Sequence, residues 1–107
     1  MTFNIIYSPE SLDDLRSIYM YIAYELLAGD TAEKQVNRIR EAVRKLDRFP
    51  EGRSQVNWEP WASLGMHFLP VDNYIVYYLV DKDSRSVSIV RIFYGGRDVE
   101  HIIRDGL

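Results

Sequence analysis

The unbroken apolar run from Tyr74 to Val80, YIVYYLV, constrains this chain most. It is too short for a buried helix and lies between the turn residues Val71-Asp72-Asn73 and the polar stretch Asp81-Lys82-Asp83-Ser84-Arg85, so it reads as a strand. A strand with apolar side chains at successive positions sends them to both faces of its sheet, and both faces then need cover. Ser86 to Tyr94 is a second, mostly apolar strand, joined to the first by a hairpin, and Met66 and Phe68 alternate with His67 on the approach. These read as a meander of three neighbouring antiparallel strands.

The cover on one face comes from the N-terminal half. Phe3, Ile5 and Tyr7 open as a short strand, and Ser8-Pro9-Glu10 gives an N-cap, a proline in the first turn and an acid beside the helix N-terminus. Leu12, Leu15, Tyr19, Ile22, Ala23 and Leu26 follow at helical spacing to about Leu27, with Gly29 as the stop. Asp30 to Glu33 has capping-box spacing, and Ala32, Val36, Ile39, Val43 and Leu46 form a second stripe ending at Phe49-Pro50. The expectation is a helical hairpin on one face of the sheet, with Leu15, Ile22, Val43, Leu46, Val76, Ile89 and Ile92 buried. Glu51 to Ser63 reads as an irregular connection. Val99, Ile102 and Ile103 have the spacing of a short terminal helix. One hairpin covers one face only, so something else must cover the other.

With 107 residues the chain is the size of one domain, 1–107. It contains no cysteine, which excludes disulfides and thiolate metal sites, and its two histidines, His67 and His101, stand far apart; neither a metal nor a cofactor is expected. No segment reaches the roughly 20 apolar residues that span a bilayer, and a cytoplasmic location without membrane contact is expected. A net charge of -3 opposes nucleic-acid binding over the whole surface but leaves room for a local basic patch. Helix two supplies a basic stripe, Lys34, Arg38, Arg40, Arg44, Lys45 and Arg48, suited to an acidic protein segment or to nucleic acid. Eight tyrosines, two tryptophans and four phenylalanines exceed what one small core needs, so some face an interface.

Four stretches together resemble the RelE/ParE superfamily of toxins from type II toxin-antitoxin systems, also called plasmid stabilisation proteins: YSPESLDDLRSIYMYIA, IREAVRKLDRFPEGR, NYIVYYLVD and VSIVRIFYGGRD. They occur in the family's order over most of the chain. The resemblance implies an α+β fold, a helical hairpin on a twisted antiparallel sheet, and a growth inhibitor neutralised by an antitoxin that covers apolar surface. It also implies one of two targets. ParE-like members poison DNA gyrase, whereas RelE-like members cut mRNA on the ribosome.

RNA cleavage requires a base, a cation at the phosphate and an acid. The residues that would supply them are Glu59, His67, Arg91, Tyr94 and Arg97. Glu59 before Pro60 resembles the base of YoeB-like cleavers, while the alternation of His67 with Met66 and Phe68 would turn the imidazole outward. Tyr94 and Arg97 match the family's strand-end positions. Set against cleavage, Asn73-Tyr74-Ile75 stands where cleaving members carry an arginine after the tyrosine, and Phe93 stands where the terminal catalytic histidine would fall. The long hairpin also favours the ParE-like side. Target contact is then expected at Arg53, Tyr94, Gly95, Gly96 and Arg97, the glycines leaving room beside the guanidinium. Antitoxin contact is expected at Tyr19, Arg40, Arg44, Tyr74 and Tyr78. Ribosome-dependent mRNA cleavage, and a non-toxic interaction module, are the alternatives. Assembly as a homodimer or as a heterotetramer with the antitoxin is compatible with either target.

Overall fold

The computed structural model describes residues 2–95. Strand β1 (Asn4–Tyr7) leads into helix α1 (Pro9–Met20), whose N-cap Ser8 accepts a hydrogen bond from the Ser11 N–H at 2.9 Å. Ser8 also donates its hydroxyl to the Val90 carbonyl at 2.9 Å, so the residue that starts the helix also fastens it to the sheet. A π-helical turn, Tyr21–Glu25, ends the first arm of the hairpin, and helix α2 (Gly29–Arg44) forms the second. After 3-10 turns at Lys45–Asp47 and Pro50–Gly52 comes the short helix α3 (Trp61–Leu64). Strands β2 (His67–Val71), β3 (Tyr74–Asp81) and β4 (Ser86–Tyr94) complete the described chain.

The sheet order is β1-β4-β3-β2. β2, β3 and β4 form the expected antiparallel meander, but β1 lies parallel to β4, with Tyr7 beside Ile89, so the sheet is mixed rather than wholly antiparallel. The long excursion through both helices and two strands before β4 allows that parallel entry, which a tight hairpin cannot make.

Strand β3 alternates between two apolar clusters. Tyr74, Val76, Tyr78 and Val80 face the hairpin with Leu15, Ile18, Ile22, Ala32, Ile39, Val43 and Leu46. Ile75, Tyr77 and Leu79 face the other side with Val56, Trp58, Trp61, Met66, Phe68 and Phe93. All seven residues expected in the core are buried, each at 6% exposure or less. The cover missing from the second face is therefore supplied in part by the chain itself. The connection read as irregular folds back, its carbonyls and amides pairing with Met66 and Phe68, and sets Trp58 edge-on to Tyr77 at 6.3 Å.

Two helical expectations shift. Leu15, Ile18 and Ile22 form the buried stripe of the first arm, while Leu12, Tyr19 and Leu26 are exposed. In the π turn the Leu26 N–H reaches back to the Tyr21 carbonyl, five residues away, which breaks the 3.6-residue phase that placed Leu26 inside. Helix α2 begins at Gly29 with no side-chain cap, so Asp30 favours the helix dipole from within the first turn instead of closing a capping box.

Candidate functional site

One residue in β4 decides which way the functional side chains point. Tyr78 pairs with Ile89 and Tyr77 with Arg91, leaving Val90 without a partner on β3. This bulge turns Arg91 to the face of Tyr77 and Phe93, where its guanidinium stands 4.3 Å from the Phe93 ring centre. Its other contact is with Asp14 on α1. Arg91 Nε donates to Asp14 Oδ2 at 2.8 Å and Nη2 to Oδ1 at 2.9 Å, and the Ile92 N–H donates to Oδ2 at 2.9 Å. β1 pairs with β4 only as far as Ile89, so Asp14 occupies the margin of β4 beyond it. The Arg91 and Asp14 side chains are only 18% and 12% exposed. The hydrogen bond to Asp14 raises the Arg91 pKa further above its ordinary value. Arg91 is thus a two-pronged structural clasp, not a cation open to a phosphate. No local pattern marks Asp14 for this part, because the clasp joins positions far apart in the chain.

Two further cleavage candidates, His67 and Glu59, are also engaged. His67 is buried, contrary to the outward orientation expected of it. Its neighbours Met66 and Phe68 pack on the second apolar cluster, so His67 points under the hairpin, where it stacks on Tyr78 at 5.2 Å and its Nδ1 lies 2.8 Å from the Arg53 carbonyl. With both faces apolar, alternation could not reveal which was solvent. Glu59 accepts from the Ser63 hydroxyl and from the Ser63 N–H, the latter at 2.8 Å. Those bonds, the hydroxyl first, hold its carboxyl below the usual range, which makes it a weaker base. It caps α3.

Tyr94 lies where expected, at the rim and 50% exposed. Its ring meets Tyr74 edge-to-face at 5.9 Å, and the Gly95 N–H donates to the Asn73 carbonyl at 2.8 Å. Together with Pro70 and Ile75 these residues line an open groove of about 280 Å³. A Cβ on Gly95 would sit 3.3 Å from both the Asn73 oxygen and Ile75 Cδ1, so that glycine admits the neighbouring β2–β3 turn instead of leaving room for a ligand. Burial raises the Tyr74 pKa, and Tyr94 and Tyr21 add to the effect, which groups three tyrosines at this end of the sheet. Tyr21 was not foreseen here; its place follows from the π turn. Gly96 and Arg97 lie outside the described residues, as does the terminal helix read at Val99 to Ile103.

Of the antitoxin-contact candidates, Tyr19 and Arg40 are exposed on the hairpin and Tyr74 is half-buried. Arg44 is exposed but bonded to Glu41. Tyr78 is wholly buried and donates its hydroxyl to the Pro50 carbonyl at 2.7 Å, so its side chain is not open to a partner in this fold. It lies on the hairpin side of a strand whose exposed face the sequence could not distinguish. Arg53 is exposed at another pocket, beyond the end of α2. Among the described residues no histidine and carboxylate side chains gather as a metal-binding cluster, and no helix is long and apolar enough to cross a membrane.

The fold is shared with solved toxin structures. The chain is similar to the chromosomal ParDE toxin-antitoxin system of P. aeruginosa, with TM-score 0.72 and 21% identity over 87% of this chain and 96% of that one. It is also similar to the RelBE2 toxin-antitoxin complex of Mycobacterium tuberculosis, with TM-score 0.64 and 16% identity over 88% and 99% of the two chains. Against the archaeal RelE-RelB complex of Pyrococcus horikoshii the TM-score is 0.63 at 18% identity, over 91% and 99%. No curated protein matches by sequence. The family model described as the ParE toxin of the type II toxin-antitoxin system, parDE, matches residues 5–99, nearly the whole chain. This chain therefore belongs to the ParE toxin family of type II toxin-antitoxin systems.

Proposed function

We propose that this toxin inhibits growth by poisoning DNA gyrase without cutting a nucleic acid itself, and that a cognate antitoxin holds it inactive. The observation that carries the first part is the clasp between Arg91 and Asp14. Arg91, the cation within the last strand, is consumed by a carboxylate, while the imidazole of His67 is buried and the carboxylate of Glu59 is tied to Ser63. Both candidate bases and the β4 arginine are thus separately committed to structure, which favours contact over chemistry. Contact with the target falls to Tyr94 beside its groove and to Arg97, whose planar guanidinium suits a carboxylate or phosphate.

The antitoxin reading rests on the apolar surface left open. Met20, Tyr21, Tyr24, Leu26 and Leu27 are each at least half exposed at the hairpin tip, and Tyr94 stands at the sheet rim. The toxin-antitoxin complexes among the structural relatives support a protein partner for that surface. Brief induction in cells tests the proposal: a DNA-damage response with intact mRNA is expected, lost in Arg97→Ala and partly kept in Arg97→Lys. Discrete mRNA cuts without DNA damage would overturn it in favour of ribosome-dependent cleavage. The absence of any growth effect would point to a non-toxic interaction module.

A further inference from the structure

The basic stripe of helix two does not stay together in the fold. Arg38 is paired with Asp72 at 2.7 Å and Arg44 with Glu41. Lys45 and Arg48 continue past the helix end and, with Arg53, line a pocket of about 220 Å³. Among the described residues none of these three cations forms an ion pair with a carboxylate. The nearby Glu51 is turned to Lys82 at 3.4 Å.

Between the cations stands Phe49, 77% exposed, in the left-handed region at φ 50 and ψ 53. A phenylalanine in that conformation carries backbone strain, and its exposed ring gains little burial in return. The ring lies over Gly52, where a Cβ would come within 2.5 Å of Cε2. The loop behind it is fastened at two points, by the Tyr78 hydroxyl to the Pro50 carbonyl at 2.7 Å and by His67 Nδ1 to the Arg53 carbonyl at 2.8 Å. The backbone that carries Phe49 and Arg53 is therefore held in place before any ligand arrives.

We propose that this pocket binds a single strand of nucleic acid, with Lys45, Arg48 and Arg53 on the phosphates and Phe49 stacked on an unpaired base. An acidic peptide would satisfy the cations equally well but leaves the strained, exposed ring without a role. A nucleobase offers the flat face that such a ring stacks on, and a stacking platform beside a cationic groove is how sequence-tolerant single-strand binding is built. The site is separate from the Tyr94 groove, and the proposal does not depend on gyrase being the target.

The test is fluorescence anisotropy of the full-length protein with labelled oligothymidine and oligouridine of about a dozen nucleotides, enough for one small binding site. Salt-dependent binding is expected. In Arg48→Gln/Arg53→Gln the slope of log affinity against log salt should fall by about 1.4, at about 0.7 for each phosphate that is no longer neutralised. Phe49→Ala should weaken binding about tenfold with the slope unchanged. Circular dichroism checks that these exposed substitutions leave the fold intact, and Arg16→Gln/Lys34→Gln, which removes two charges outside the pocket, serves as the charge-matched control. Equal affinity for the two oligonucleotides supports the stacking mode, and a preference for either names the natural strand. The proposal is overturned if the wild type does not bind, if the pocket variants bind like the control, or if a polyglutamate peptide displaces the oligonucleotide at lower concentration.

Discussion

Replacing Asp14 by Ala should destabilise the protein more than any other single change to an acidic residue in the described fold. The substitution removes two charge-assisted bonds from Arg91 and the acceptor of the Ile92 N–H, and leaves a guanidinium at 18% exposure beside Phe93 without a counter-ion. Removing one partner of a buried pair costs about 3–5 kcal/mol, and the residual solvent contact here puts the loss near the lower end, about 3 kcal/mol. For a chain of this size that is a fall of about 12 °C in Tm. Urea unfolding followed by fluorescence of Trp58 and Trp61, which report on the face where Arg91 lies, measures it directly. Arg91→Met in the Asp14→Ala background should recover about 2 kcal/mol, because the stranded charge is then gone and its aliphatic volume is kept. A loss below about 1 kcal/mol for Asp14→Ala would show that Arg91 is not held by this clasp. The case against a phosphate-binding role for Arg91 would fall with it.

Tyr78, whose pKa burial pushes up to about 12, supplies a pH limb. The unfolded chain ionises this phenol near pH 10 and the folded chain does not, so the stabilisation is complete below about pH 10 and is lost as pH rises toward 12, by up to about 2 kcal/mol. Tyr78→Phe should flatten that limb in urea titrations at stepped pH and cost about 1 kcal/mol at neutral pH through the missing bond to Pro50. Trp58→Ala should uncover part of the second cluster, costing about 2 kcal/mol and raising binding of a hydrophobic dye. Gly95→Ala should cost about 1 kcal/mol and shift the amide resonances of Asn73 and Ile75, since its Cβ meets both residues at 3.3 Å. Tyr94→Phe should keep most growth inhibition if the ring acts by contact; loss of activity would mean that the hydroxyl donates a proton.

The strands and the hairpin were legible because their signals are local. Apolar runs bounded by turn residues placed β3 and β4 within a residue of their observed limits, and Ser8-Pro9 marked the start of α1. What failed depended on contacts distant in sequence. The continuous apolar run of β3 announced two covered faces but not their owners, so the inward turn of His67, the burial of Tyr78 and the tryptophan cover from the 51–63 connection all required the fold. The bulge at Val90 reverses the facing of Arg91 without any glycine or proline to mark it. The π turn likewise moves Leu26 out and Tyr21 toward Tyr74 with no signature in helical spacing. Tyr94 was placed correctly because the end of a strand is itself a local signal. Arg97 remains a reading from the family likeness.

The most direct test of the central claim is a supercoiling reaction with purified gyrase, relaxed plasmid and the purified toxin, analysed after detergent and protease treatment. Gyrase poisoning predicts linear plasmid accumulating with toxin dose, its suppression by the cognate antitoxin, and no cutting of ribosome-bound mRNA by the same preparation. Normal supercoiling without linear product, together with cleavage of mRNA in a programmed ribosome, would contradict it.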